Sequence, residues 1–424
     1  VGASWVLSEE SFLQNNSLIN FFKLKASYGI LGDEGGVGTY SGQNTYTMSN
    51  LGGEIALAVN ALQDPNLTWE TKKTYQIGAE FTLFNNFLDG SVDYYSTDTE
   101  DLVFDRRIGP SIGDALIRIN DGVLRNSGVE VDLTSHLVRN GDFKLDFSIN
   151  AEFLKNEIIT MPIEPSTGLP KILDQNGSFG RRAGRSIFDY YIREWAGVNP
   201  DNGRALWNLY YFDANGNGDV DSGEGISNLT EYQDANPTNA ISQTTTETYA
   251  SATEKFIDKS AFPTVRGAFK LNANYRNFSL STQFLYSLGG YSYDNRYAGL
   301  MSNAQIGSSQ YSPDIRNSWK SPGDITDVPQ LQSGQNPQVN SLSSRFITSS
   351  DFLALNNLRF GYNIPSKFLT KSGLSEVNFW ISGDNLFLVS ARTGFDPRLS
   401  ESGSNSVYAY APLTTATLGI RVKF

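Results

Sequence analysis

The feature that most constrains this chain is a two-residue alternation of apolar and polar side chains, recurring along its length in segments of about ten residues. Phe143, Leu145, Phe147, Ile149, Ala151 and Phe153 fall on one face of an extended strand, and Lys144, Asp146, Ser148, Asn150 and Glu152 on the other. Tyr75, Ile77, Ala79, Phe81 and Leu83 alternate with Gln76, Gly78, Glu80 and Thr82 in the same way. So do Phe269 to Tyr275, Phe278 to Tyr286 and Leu358 to Tyr362. Such a strand lies between two different solvents. Its length is what a tilted strand needs to cross a bilayer, whereas strands of soluble sheets average about five or six residues.

The connections sharpen this reading. Asn85-Asn86, Asn140-Gly141 and Arg276-Asn277 join neighbouring strands by minimal turns. Between these hairpins run long polar stretches at about 31–73, 98–127, 157–186, 212–263, 295–351 and 389–414. Short turns alternating with long loops is the layout of outer-membrane barrels, with periplasmic turns short and external loops long. A soluble sandwich would not sort its loops by side. The expected fold class is therefore all-β, a transmembrane antiparallel β-barrel.

Composition agrees. Hydrophobic residues make up only 39% but aromatics 12%, with Tyr 21, Phe 26 and Trp 6, as suits a surface meeting lipid at its rims. No run of eighteen or so apolar residues exists, so no helix is expected to cross a membrane. There is no cysteine and a single histidine, which removes disulfides, thiol nucleophiles and Cys/His zinc sites from consideration. A net charge of −12 makes nucleic acid a poor partner. Nothing near Val1 resembles a signal peptide, so processing or truncation is expected to have removed the start.

At the other end Leu418, Ile420, Val422 and Phe424 share a face opposite Thr417, Arg421 and Lys423. A last amphipathic strand ending in an aromatic resembles the insertion signal of bacterial outer-membrane barrels. With that end periplasmic, the parity of turns and loops holds back along the chain. The pattern counts about thirteen strands, an odd number, whereas single-chain bacterial barrels have even counts; the earliest strands are expected to be missing.

Several segments resemble one family, the SusC-like (SusC/RagA) TonB-dependent transporters of Bacteroidota. They are Ala3-Ser4-Trp5-Val6-Leu7-Ser8-Glu9-Glu10, Leu24-Lys25-Ala26-Ser27-Tyr28-Gly29, Asn66-Leu67-Thr68-Trp69-Glu70 and Arg125-Asn126-Ser127-Gly128-Val129-Glu130. Trp195 to Pro200, Phe352 to Leu358, Gly361 to Pro365 and Ser382 to Phe387 follow in the family's order. The resemblance spans essentially the whole chain. It implies a 22-stranded barrel of which this chain supplies about the last thirteen strands, the plug and the TonB-contacting segment lying elsewhere. It also implies a SusD-like surface lipoprotein and the TonB complex as partners, beside the outer-membrane lipid.

The sharpest local motif lies in a long loop. From Asp213 to Glu224, oxygen-bearing side chains stand at positions one (Asp213), three (Asn215), five (Asn217), nine (Asp221) and twelve (Glu224). Gly218 stands at six and Asp219 at seven, where a backbone carbonyl contributes. This spacing wraps six or seven hard oxygens around one Ca²⁺. The bland alternative is an Asx- and Gly-rich solvated loop needing no ion. Flanking helices are not expected, because Leu206 to Phe212 reads as strand.

His136, near the end of its strand, reads as a satisfied or solvent-facing side chain. No carboxylate pair stands out for glycoside cleavage, and no catalytic residue is assigned. Tyr190, Tyr191, Trp195, Trp207, Tyr210 and Tyr211 could stack on sugars, but such residues more often anchor a rim. The functional expectation is TonB-energised import of a large nutrient, an oligosaccharide or oligopeptide, with no enzymatic activity. A passive porin or surface adhesin, and a secreted β-rich glycan-active enzyme, are the readings against it.

Overall fold

The computed structural model describes the chain except at residues 15, 36, 38–42, 62–63, 65, 108–115, 165–166, 303–309, 332–337, 371–372, 401–402, 407 and 409. Parts of every expected long loop but 212–263 fall outside the described residues. No described helix is long and apolar enough to cross a membrane.

The chain divides into two compact units. The first (1–171, 182–186 and 269–274) carries six antiparallel strands in the order Gly2–Val6, Ile19–Asp33, Glu70–Leu83, Leu88–Glu100, Val123–Asn140 and Phe143–Thr160. Each pairs with its neighbour in sequence among these strands, so the sheet is a meander. Its register turns the sequence alternation into continuous faces. Trp5, Leu24, Ala79, Val92, Val131 and Ala151 stand side by side in one row across all six strands. Ile77, Tyr94, Val129 and Phe153 form the next row. The opposite face is charged: Lys25, Gly78, Asp93, Glu130 and Glu152 are in register.

Gly78 shows why a glycine sits in that polar row. A Cβ there would meet Asp93 Oδ1 at 2.0 Å, in the space through which Asp93 reaches Lys25 Nζ at 3.0 Å. Gly128 does the same job for an aromatic. A Cβ would meet Tyr95 Oη at 2.9 Å and the carbonyl of Phe153 at 2.5 Å, and Tyr95 donates to Glu152 Oε1 at 2.9 Å.

The second unit (172–181, 187–268 and 275–424) carries the strands Phe278–Leu288, Phe352–Asn363, Glu376–Ser390 and Thr415–Lys423, again each antiparallel to the next. The residues of Val265–Tyr275 are divided between the units. Among the described residues, strands of the meander type thus number eleven, where the sequence pattern counts about thirteen. The difference has a plain origin. The stretches expected as separate loops at 157–186 and 212–263 belong to one connection, residues 161–264, between Phe143–Thr160 and Val265–Tyr275. Asp189–Arg193 and Ala205–Tyr211 within it are strands, but of small local sheets. In Ala205–Tyr211 every second residue, Ala205, Trp207, Leu209 and Tyr211, is buried inside protein. Alternation reports two unlike sides without saying what covers the apolar one.

The minimal turns are tight. Asn140 pairs with Phe143, so the linker is Gly141-Asp142, one residue on from the expected Asn140-Gly141. Phe84, Asn85 and Asn86 all take positive φ between Leu83 and Leu88, a run that asparagine tolerates better than most residues.

Candidate functional site

Along the apolar face of the first unit the side chains change character toward the long-loop end. On Glu70–Leu83 the sequence runs Leu83, Phe81, Ala79, Ile77, then Tyr75 and Lys73. Tyr75 packs against Tyr94 with ring centroids 6.3 Å apart. Beyond them Lys73 Nζ donates to Glu100 Oε2 at 2.5 Å, and Arg125 grips Asp98 with two bonds of 2.6 Å each. Aliphatic side chains giving way to paired tyrosines and then to ion pairs is the profile of hydrocarbon, interface and water.

The segment Asn66-Leu67-Thr68-Trp69-Glu70 has a clear local job at that end. Thr68 N donates to Asn120 Oδ1 at 2.6 Å, while Asn120 Nδ2 donates to the carbonyls of Thr68 and Asp101, both at 2.8 Å. Glu70 accepts from Val103 N at 3.0 Å, and the Trp69 indole lies against Gly32. Two loop bases are thereby fastened together.

His136 bridges two carboxylates, with Nδ1 2.5 Å from Asp146 Oδ1 and Nε2 2.9 Å from Asp89 Oδ2. It is a satisfied side chain, as the sequence reading has it.

In the second unit the long connections fold into a core of their own. One sheet runs Asp174–Asn176, Phe179–Arg181, Asp189–Arg193, Glu254–Ser260. Another joins Trp195–Val198, Ala205–Tyr211 and Gly225–Ile226, with Ser242–Thr246 on the same central strand. Tyr190, Tyr191, Trp207 and Tyr211 are buried here. They are core residues, neither sugar-stacking platforms nor rim anchors. Burial pushes the Tyr191 hydroxyl up to about 12, and it donates to Asn228 Oδ1. Trp195 and Trp207 meet edge to face at 5.8 Å, and the Arg345 guanidinium lies 4.6 Å above the Trp195 ring. Arg345 donates to the carbonyls of Val339 at 2.9 Å and Asp327 at 3.2 Å, and burial lowers its pKa to about 10.

The turn Asn199 to Arg204 is organised by Glu247. Its Oε1 accepts from Asn202 Nδ2 at 2.7 Å and Asn199 Nδ2 at 2.8 Å, and its Oε2 from Arg204 Nη1 at 3.2 Å. The Asn202 bond first, then Asn199 and Arg204, hold this carboxyl below the usual carboxylate range against the opposing effect of burial. Sequence reading misses Glu247 because its partners lie more than forty residues upstream and no motif links them.

The expected calcium residues all fall in one loop, closing the pair of strands Ala205–Tyr211 and Gly225–Ile226. Asp213 Oδ1 accepts from Gly216 N at 2.6 Å and Asn217 N at 3.1 Å, and its Oδ2 from Gly218 N at 2.8 Å. Glu224 reaches back across the loop, accepting from Ala214 N at 3.0 Å and Asp221 N at 2.9 Å. Asn215 and Asn217 turn their Nδ2 atoms to Asp221 Oδ2, at 2.7 and 2.9 Å, and Asp219 N donates to Asn217 Oδ1 at 2.8 Å. Gly216, Gly218 and Gly223 supply the positive φ values that let the chain double back. Among the described residues no three His, Cys, Asp or Glu side chains are grouped to hold a metal. The expected set differs from such a group in drawing on two amide oxygens and a backbone carbonyl.

The terminal residues are exposed in the chain by itself: Leu418 at 82% and Phe424 at 91%, with Ile420 at 56% and Val422 at 39%. Thr415–Lys423 pairs with Glu376–Ser390, setting Leu418 beside Ile381 and Ile420 beside Phe379 in one apolar face.

Comparison with known proteins accounts for this arrangement. Residues 1–223 match the family model described as TonB dependent receptor-like, beta-barrel. TonB-dependent receptor P3 of Formosa agariphila is 28% identical over 99% of this chain and 41% of that protein. TonB-dependent receptor SusC of Bacteroides thetaiotaomicron is 23% identical over 99% of this chain and 39% of that protein. A solved structure of the RagAB peptide transporter superposes with a TM-score of 0.79 at 26% identity, covering all of this chain and 43% of that one. This chain thus spans about two fifths of the length of these relatives. With the meander of long amphipathic strands, these matches establish that the chain belongs to the SusC-like TonB-dependent receptor family of outer-membrane β-barrels.

Proposed function

We propose that the whole protein imports a large nutrient, an oligopeptide or oligosaccharide, across the outer membrane through a plugged barrel energised by the TonB complex. A SusD-like surface lipoprotein would capture substrate on the long-loop side. The observation that carries this is the likeness along the entire chain to a peptide transporter and to SusC, in both the strands and the folded loops. A transport role, not an enzymatic one, accords with the receptor and transporter names of the relatives. Uptake of fluorescent oligopeptides and oligosaccharides by cells with and without the gene, and with and without TonB, tests it. Import lost in both deletions supports the reading. Uptake that persists without TonB is passive passage and contradicts it.

We further propose that the Asp213–Glu224 loop binds one structural Ca²⁺ through side-chain oxygens of Asp213, Asn215, Asn217, Asp221 and Glu224 and the carbonyl of Asp219. The donors are all hard oxygens, and Asp213 Oδ2, both Glu224 oxygens and Asn217 Oδ1 each accept a single N–H and keep a second lone pair. The amide groups of Asn215 and Asn217 would rotate to turn oxygen inward. Four carboxylates in one short loop, Asp213, Asp219, Asp221 and Glu224, repel one another, so the ion would order the loop. Calorimetry on wild type and Glu224→Ala checks this. Heat of binding at millimolar calcium in the former and its loss in the latter is expected; a silent wild type would show the loop to be merely polar.

A further inference from the structure

Asp294 is completely buried, and its carboxylate sits where two separate loops of the second unit meet. It caps the short helix Asn295–Leu300, accepting from Tyr297 N at 3.0 Å. Its other two partners come from chain about a hundred residues away. Asn405 Nδ2 donates to Oδ1 at 2.9 Å, and Arg392 Nη2 donates to Oδ2. The Arg392 guanidinium also covers the Tyr297 ring at 4.4 Å.

The backbone on either side follows the same seam. Tyr293 N donates to the carbonyl of Gly403 at 2.8 Å, and Asn405 N to that of Tyr293 at 3.3 Å. Asn295 Nδ2 donates to Ser404 Oγ and to the Asn405 carbonyl, both at 3.1 Å. Gly403 lies at φ +81°, and a Cβ there would strike Ala261 at 2.6 Å and Phe179 at 2.7 Å. A stretch following Glu376–Ser390 is therefore laid along Tyr291–Tyr293, which follows Phe278–Leu288. Within the seam Asp294 and Arg392 form the one ion pair that joins the two loops among the residues described.

We propose that the Asp294–Arg392 pair is a latch that makes the last two long loops move as one body. Backbone pairing at the seam is short, and short pairings fray independently. A buried carboxylate stripped of its cation is costly to keep buried, so loss of either partner releases the segment. Neither loop then lifts without the other, and anything docking on one meets both. This role is independent of what the protein transports.

The test is hydrogen exchange on the full-length protein, read at Gly403–Asn405 and Tyr291–Tyr293, in wild type, Asp294→Asn, Arg392→Ala and the double variant. Asn at 294 can still accept from Tyr297 N and Asn405, so Asp294→Asn removes chiefly the charge. Each single variant is expected to exchange on the order of 100-fold faster at both stretches. The double variant should be no faster than the singles, since one interaction is lost in all three. The heat-dependent gel shift of the folded barrel should stay as in wild type. Unchanged exchange in both singles, or additive effects in the double, overturns the latch. Should Asp294→Asn fail to assemble, Arg392→Ala alone decides, because Arg392 lies nearer the surface.

Discussion

Phe147 and Ser148 are neighbours in the chain and lie on opposite faces of Phe143–Thr160. Phe147 packs towards Phe269, with ring centroids 6.3 Å apart, and stands in register with Ser135. Ser148 shares a hydrogen bond of 2.9 Å with Thr134 on the polar face. Phe147→Lys places a cation in hydrocarbon and should cost about 2–4 kcal/mol near the midplane, lowering the amount of assembled barrel. Ser148→Lys should assemble normally, because Lys there joins a face already carrying charge. Quantifying folded protein by its gel mobility checks both; equal tolerance would contradict the assignment of faces. At this scale the sequence is highly legible, because the pleat converts spacing of two directly into face. The glycines are less so. Gly78 and Gly128 read as weak points in their strands, and only the register shows Asp93 and Tyr95 filling the space they leave.

At the scale of elements, the Asn199–Arg204 turn should respond to acid. In the fold the Glu247 carboxyl lies below its ordinary range, so the stabilisation it brings is present above that range and lost as pH falls through the lowered value. Protection of the turn against hydrogen exchange, measured relative to the unfolded chain at the same pH, should fall in wild type as pH drops through that lowered value. Glu247→Gln should show faster exchange already at neutral pH and a flatter acid dependence; identical profiles would show that Glu247 does not hold the turn. The last strand makes a different prediction. Removing Phe424 should leave the protein in the periplasm or degraded, and normal outer-membrane levels would end the case for a terminal signal at Leu418, Ile420, Val422 and Phe424. Elements are also where sequence reading loses its grip. Ala205–Tyr211 alternates as cleanly as a membrane strand, yet Trp207 and Tyr211 are covered by protein. The Asp213–Glu224 loop is legible as a motif because its residues are contiguous. Glu247, Arg345 and the Asp294–Arg392 pair are not, since contacts over tens of residues leave no periodic trace.

For the molecule as a whole, two observations that do not depend on each other point to a lipid-covered barrel. Rows such as Trp5, Leu24, Ala79, Val92, Val131 and Ala151 join six strands into one apolar face, and family likeness extends along the full chain. An apolar face of that extent needs a cover. A soluble protein would supply it from its own chain, whereas in an outer-membrane barrel lipid supplies it. The absence of cysteine in these residues makes the distinction measurable. Single cysteines at positions 147 to 152, each carrying a fluorophore, can be read in bilayers containing brominated lipid. Quenching by lipid is expected at 147, 149 and 151, and access to water-soluble quencher at 148, 150 and 152. Water access at all six positions, or no alternation between them, would contradict a lipid-covered barrel.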